Sequence, residues 1–172
     1  MYTGCMWNRV LKRLESYPAR IKVAKAIIEL GFRISEDGKI YCGPVEQSYQ
    51  KIARALDVDR RVVKETVHTI LRDPELREIF KSLRPSGPLL SDVAKHLGFS
   101  VIEIYADSKK AGILAKASTI VASEGISIRQ AVAEDPDLSP EPKLILVIEK
   151  PVSGNALNKI LEIDGVKKIS VY

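Results

Sequence analysis

The segment SYQKIARALDVDRRVVKETVHTIL, residues 48–71, carries cations at spacings that suit contact with phosphate. At 100° per residue, Arg60, Arg61, Lys64, Glu65 and His68 fall on one side of a helix. Val62, Val63, Thr66, Val67 and Ile70 fall on the other. A guanidinium fork matches two phosphate oxygens or the O6/N7 edge of guanine, and a lysine adds a point charge. Lys51 and Arg54, on the helix just before, are placed to clamp a nucleic-acid backbone. A solvated basic face on a helical hairpin is the plainer reading of the same pattern.

A second stretch, DSKKAGILAKASTIVASEGISI over residues 107–128, puts Gly112 at the head of a helix, where leucine or alanine would pack better. The first amides of a helix lack intrahelical partners and carry partial positive charge, which suits a carboxylate. Without a Cβ, a ligand can approach that backbone closely. Alternatively, Gly112 only lets the helix pack tightly on a sheet. Catalysis finds no support: there is no GxxxxGK and no HExxH, His68 and His96 lie far apart, and Cys5 and Cys42 stand alone. The chain is expected to be no enzyme, to hold no metal and to need no cofactor.

The elements that must position these residues follow from periodicity. Trp7, Val10, Leu11 and Leu14 mark a short amphipathic helix, and Pro18 and Gly31 bracket a second. FRISEDGKIYCG reads as two strands about an Asp-Gly turn. A helix over about 46–56, a turn at 57–59 and a helix from Asp59 to Leu71 follow, with Asp59 as N-cap. Residues 73–87 form one more helix ending in a Pro/Ser/Gly breaker. DVAKHLGFS mimics the start of another helix–turn–helix, but VIEIYAD after it is β-branched and aromatic. Residues 88–97 are therefore read as a connecting helix running into a strand.

From residue 99 the order is strand, helix 109–124, strand, Pro-rich loop, strand KLILVIEK, helix and strand. Ile126, Ile128, Gln130 and Val132 alternate onto one side of the second of these strands. The βαββαβ order is that of a ferredoxin-like sheet with both helices on one face. The fold class is α+β, a mostly helical first domain over 1–87, a linker over 88–98 and a second domain over 99–172. Charge divides likewise. Residues 1–98 hold 18 Lys/Arg and 12 Asp/Glu, whereas residues 99–172 hold 9 and 10, so the first part is the candidate for nucleic acid. No apolar run approaches the roughly 18 residues of a membrane span, and no leader pattern opens the chain. A cytoplasmic protein with no membrane partner is expected.

Residues 48–71 resemble a helix–turn–helix DNA-binding unit. Ala53 is the small residue at the helix crossing, Ile52, Leu56, Val58 and Val63 are the apolar positions, and Asp57 stands where glycine is usual. Residues 99–172 resemble an ACT domain through VIEIYAD, SKKAGILAKAS and GISIRQA, with Ala111 where proline is frequent. The whole chain is similar to archaeal-type chains classed as predicted regulators of amino acid metabolism. The resemblance implies a homodimer or higher oligomer through the ACT domain. Asp107, Ala111, Gly112, Ile113 and Leu114 of one copy would then face Ile126, Ser127, Ile128 and Gln130 of the other around an amino acid. It also implies a ligand-responsive transcriptional regulator that binds DNA through Lys51, Arg54, Arg60, Arg61, Lys64 and His68. The rival expectation is a regulatory subunit that docks on a biosynthetic enzyme and leaves DNA alone.

Overall fold

Val63, Thr66, Val67 and Ile70 are fully buried, and the first half of the chain is assembled around them. The structure, a computed structural model, describes residues 6–172. It divides into two compact units, one ending at Gly87 and the other running Pro88–Tyr172. In the first, α1 (Met6–Leu14) packs on α2 (Pro18–Glu29), and α4 (Arg60–Arg72) packs on α2, on α3 (Tyr49–Ala55) and on α5 (Pro74–Ser82). Val10, Leu14, Val23, Ala24, Leu76 and Phe80 complete this core. The helix faces are those that the apolar spacing predicts. Cys5 lies outside the described residues.

The hairpin region departs from expectation. β1 (Arg33–Ile34), β2 (Ile40–Cys42) and β3 (Val45–Gln47) form a three-stranded antiparallel sheet. The third strand occupies the start of the helix expected from residue 46. Cys42 pairs with Val45, so Gly43 and Pro44 make a two-residue turn that feeds the chain straight back. The helix waits for Ser48, whose hydroxyl accepts from the Lys51 amide at 3.2 Å and fixes the N-terminus.

The second unit has strand order β5–β6–β4–β7 with every neighbour antiparallel. Its elements run β4 (Ser100–Ala106), α6 (Ile113–Ser123), β5 (Ile128–Ala133), β6 (Lys143–Ile148), α7 (Gly154–Leu161), β7 (Val166–Val171). This is the ferredoxin-like order. Ile102, Ile104, Leu146 and Ile148 form one face of the sheet, and Ala117, Val121 and Ile160 cover it from the two helices.

The opposite face has its own cover. Ser91–Leu97 is a 3-10 helix that sets Ala94 on Val101, Ile145 and Val147, with Leu90 and Phe99 alongside. It packs on the sheet of the second unit, where a connecting helix was expected. No second recognition-type helix follows it, because β4 begins at Ser100.

The uncovered part of that face holds a near-buried carboxylate. Lys143 Nζ lies 2.5 Å from Glu103, and Tyr105 donates its hydroxyl to the same carboxylate at 2.9 Å. Burial alone would raise the Glu103 pKa, but the bonds from Lys143 and Tyr105 outweigh it and hold the carboxyl below its usual range. A lowered folded-state value contributes stability that is complete above the ordinary carboxylate range and is lost as pH falls through the folded value. Urea unfolding of wild type and Glu103→Gln should therefore show a gap near neutrality that narrows in acid. A gap independent of pH would show that no titrating contribution exists.

Candidate nucleic-acid and ligand sites

The junction of α3 and α4 is built by local rules. Asp59 accepts from the Arg61 amide at 2.7 Å and starts α4. α3 ends in a Schellman-type closure, the Val58 amide donating to the Ala53 carbonyl at 3.0 Å. Between them Asp57 adopts φ +50°, the left-handed conformation that the tight turn demands. Asp supplies it where glycine is usual, because its short polar side chain tolerates that region better than most. Ala53 is buried where α3 meets α4.

Arg60, Arg61, Lys64 and His68 are exposed on α4, as are Lys51 and Arg54 on α3. Several other cations of this unit are paired with carboxylates. Arg13 meets Asp73 at 2.5 Å, Lys25 meets Glu29 at 3.6 Å and Lys39 meets Glu46 at 3.5 Å. Arg20 reaches Glu65 at 3.8 Å and so draws the one acidic residue of the α4 face aside. Among the described residues no carboxylate comes within ion-pair distance of Lys51, Arg54, Arg60, Arg61 or Lys64. Their charge is left to solvent.

At the head of α6, Gly112 has φ +87° and no described side chain caps the helix. Among the described residues, a Cβ on Gly112 would meet nothing within 4 Å. Tight helix–sheet packing therefore does not explain this glycine, and the left-handed N-cap conformation does. The expected helix start at 109 is corrected to Ile113. Residues 107–110 instead form a turn, the Asp107 carboxylate accepting from the Lys109 amide at 3.0 Å and its carbonyl from the Lys110 amide at 3.0 Å.

The structure brings together only part of the expected ligand set. Ala111 and Leu114 are exposed beside Gly112, while Ile113 turns into the core. Ile126 is buried in the same core, and Ile128 packs against it. Within one chain the two groups lie at opposite ends of the sheet. Ile128 stands level with Ile148 and Ser100, whereas Asp107 follows the row that joins Tyr105 to Lys143, roughly 20 Å away at strand rise.

Gln130 leaves the set altogether. Its side-chain oxygen accepts from the Leu90 amide at 2.8 Å and its nitrogen donates to the Pro88 carbonyl at 2.9 Å. The reason is a bulge. Ile128 pairs with Ile148 but Gln130 pairs with Val147, so the extra residue flips the strand over. Ile126 and Ile128 thus face the helices, while Gln130 and Val132 face the 3-10 helix, and the single face expected for all four is corrected. Ser127 stays exposed, its carbonyl taken by the Glu149 amide at 3.1 Å.

Sequence reasoning missed two groups near Asp107. Glu134 and Lys143 line the same cleft of about 290 Å³ as Asp107, Lys110 and Ile113. Only the pairing of β5 with β6 brings them there, and no local motif marks it. Among the described residues no three His, Cys, Asp or Glu gather to hold a metal ion, and no helix is long and apolar enough to cross a membrane.

Fold and site together define a two-unit α+β chain, one unit a basic-faced helix–turn–helix assembly and the other a ferredoxin-like sheet. No family model matches it, and no curated protein does. Among solved structures it is similar to the protein PH0061, at 12% identity over 90% of this chain and 88% of that one, with a TM-score of 0.29. It is similar to an AsnC family transcriptional regulator from Agrobacterium tumefaciens, at 13% identity, 90% and 87% coverage and a TM-score of 0.26. AsnC of E. coli stands at 17% identity, 90% and 87% coverage and a TM-score of 0.26. Similarities this slight bear on neither the site nor its chemistry.

Proposed function

We propose that the chain is a transcriptional regulator of amino acid metabolism and not an enzyme. Its first unit binds DNA through α3 and α4, and its second unit pairs with a copy of itself around an amino acid. The DNA half is supported above all by the unneutralised row Lys51, Arg54, Arg60, Arg61 and Lys64 on two successive helices, where Arg13, Arg20, Lys25 and Lys39 of the same unit are each held by a carboxylate. A protein gains nucleic-acid affinity by releasing counterions from phosphates, and only cations not already held by carboxylates can do that fully. The N-terminal residues of α4 would meet base edges while α3 holds the backbone.

The sensing half rests on the uncapped amides beside Gly112, which suit a carboxylate, and on Asp107, which suits an ammonium. Because Ser127 and Ile128 lie at the far end of the same sheet, a second copy must supply them. A ligand can shift DNA affinity only by its preference between two arrangements of the pair, typically about 1–3 kcal/mol. Calorimetry with each of the twenty amino acids should show binding for at least one, abolished in Asp107→Asn. Silence with all twenty, or a protein that stays monomeric in sedimentation at high concentration, overturns this half. Two-fold pairing also sets half-sites about one helical turn apart.

A further inference from the structure

We infer that the groove between β1, the β2–β3 turn and the end of α5 binds a phosphate group, separately from the α3–α4 face. The groove has a volume of about 710 Å³, and Arg33, Lys81 and Arg84 line it together with Gly43. None of these residues belongs to α3 or α4. Lys81 is paired with Glu36 at 2.5 Å. Among the described residues, no carboxylate stands within ion-pair distance of Arg33 or Arg84. Glu78 also lines the groove, but Arg77 lies 3.9 Å from it and offsets its charge. The local balance is therefore positive.

One contact orients the Arg33 guanidinium and another fixes the Arg84 backbone. Arg33 lies over Tyr41, its guanidinium carbon 4.8 Å from the ring centroid, a cation–π contact that restricts the side chain. The Arg84 backbone is wedged against Gly31, where an added Cβ would lie 2.5 Å from the Arg84 carbonyl oxygen. A planar fork restricted as at Arg33 loses less freedom on making bidentate bonds to a tetrahedral oxyanion, and arginine is the residue suited to such bonds. The phosphate can come from two sources, a nucleic-acid backbone or a free phosphate, and the same variants separate them. The first source rests on the DNA reading given above, and the second does not.

The test uses the full chain and three variants: Arg33→Ala/Arg84→Ala, Arg33→Lys/Arg84→Lys, and Lys12→Ala/Lys22→Ala as a control for exposed cations elsewhere on the unit. DNA affinity is measured across a salt series, and inorganic phosphate and tripolyphosphate binding by calorimetry. If the backbone is the source, the alanine pair lowers the log–log salt slope by roughly 1.8, at about 0.9 for each phosphate neutralised. The lysine pair then restores most of the slope but not the affinity. If free phosphate is the source, the DNA slope stays unchanged and calorimetric binding disappears in the alanine pair.

The proposal is overturned if the alanine pair matches wild type in both measurements. It is equally overturned if the control pair lowers the slope as much, because the effect would then belong to the general field of the unit. Wild type that binds no DNA at all removes the reader function, yet the calorimetric arm still decides the groove. Circular dichroism confirms that each variant is folded.

Discussion

Replacing Arg60, Arg61 and Lys64 together by alanine should lower the salt slope of DNA binding by roughly 2.7, from about 0.9 for each of three phosphates no longer neutralised. Affinity near physiological salt should fall on the order of a hundredfold, at about 1 kcal/mol for each cation removed. Folding should hardly change, since all three side chains are exposed and no described carboxylate holds them. Exposed substitutions of this kind alter stability by about 0.5 kcal/mol or less. Fluorescence anisotropy on a labelled duplex across a salt series reads slope and affinity together. An unchanged slope removes α4 from the interface, whatever the absolute affinity.

Arg20 bonds Thr69 at 3.2 Å and sits 3.8 Å from Glu65, so it holds the acidic residue of the α4 face away from the cations. The separation of α4 into a basic and an apolar face is a local property, written at 3.6-residue spacing, and it is legible for that reason. The pairing that protects the basic face spans sequence-distant elements and is not. The same distinction explains the second unit. Its βαββαβ order follows from alternation and helix stops, each visible within a dozen residues.

What is not legible depends on one-residue shifts and on partners far along the chain. The bulge at Arg129 leaves the apolar spacing of ISIRQAVAE intact yet reverses the side of Gln130. A period-2 pattern carries no signal for such an insertion. Likewise Val45–Gln47 reads as the run-in to a helix until Pro44 is seen to close a two-residue turn. Residues 88–97 read as a linker because their apolar partners, Val101, Ile145 and Val147, lie on the sheet that comes after them. The Asp107 site is marked by its own loop, while Glu134 and Lys143 enter through the β5–β6 ladder.

Gly31→Ala is expected to be the most damaging alanine substitution among the described glycines of the first unit. Gly31 adopts φ +62°, and an L-residue there costs about 1–2 kcal/mol. The added Cβ also meets backbone, at 2.5 Å from the Arg84 oxygen and 2.8 Å from the Pro85 Cα, and backbone cannot swing aside as a side-chain tip can. The combined loss should be on the order of 2–4 kcal/mol. Gly43→Ala supplies the comparison within the same unit, because Gly43 also has positive φ but no described atom lies within 4 Å of its added Cβ. Urea unfolding should then show a loss of about 1–2 kcal/mol for Gly43→Ala and clearly more for Gly31→Ala. Equal losses would mean that residues 84–85 move away freely. The Arg84 backbone would then have no fixed place beside the groove, and the phosphate site would lose that support.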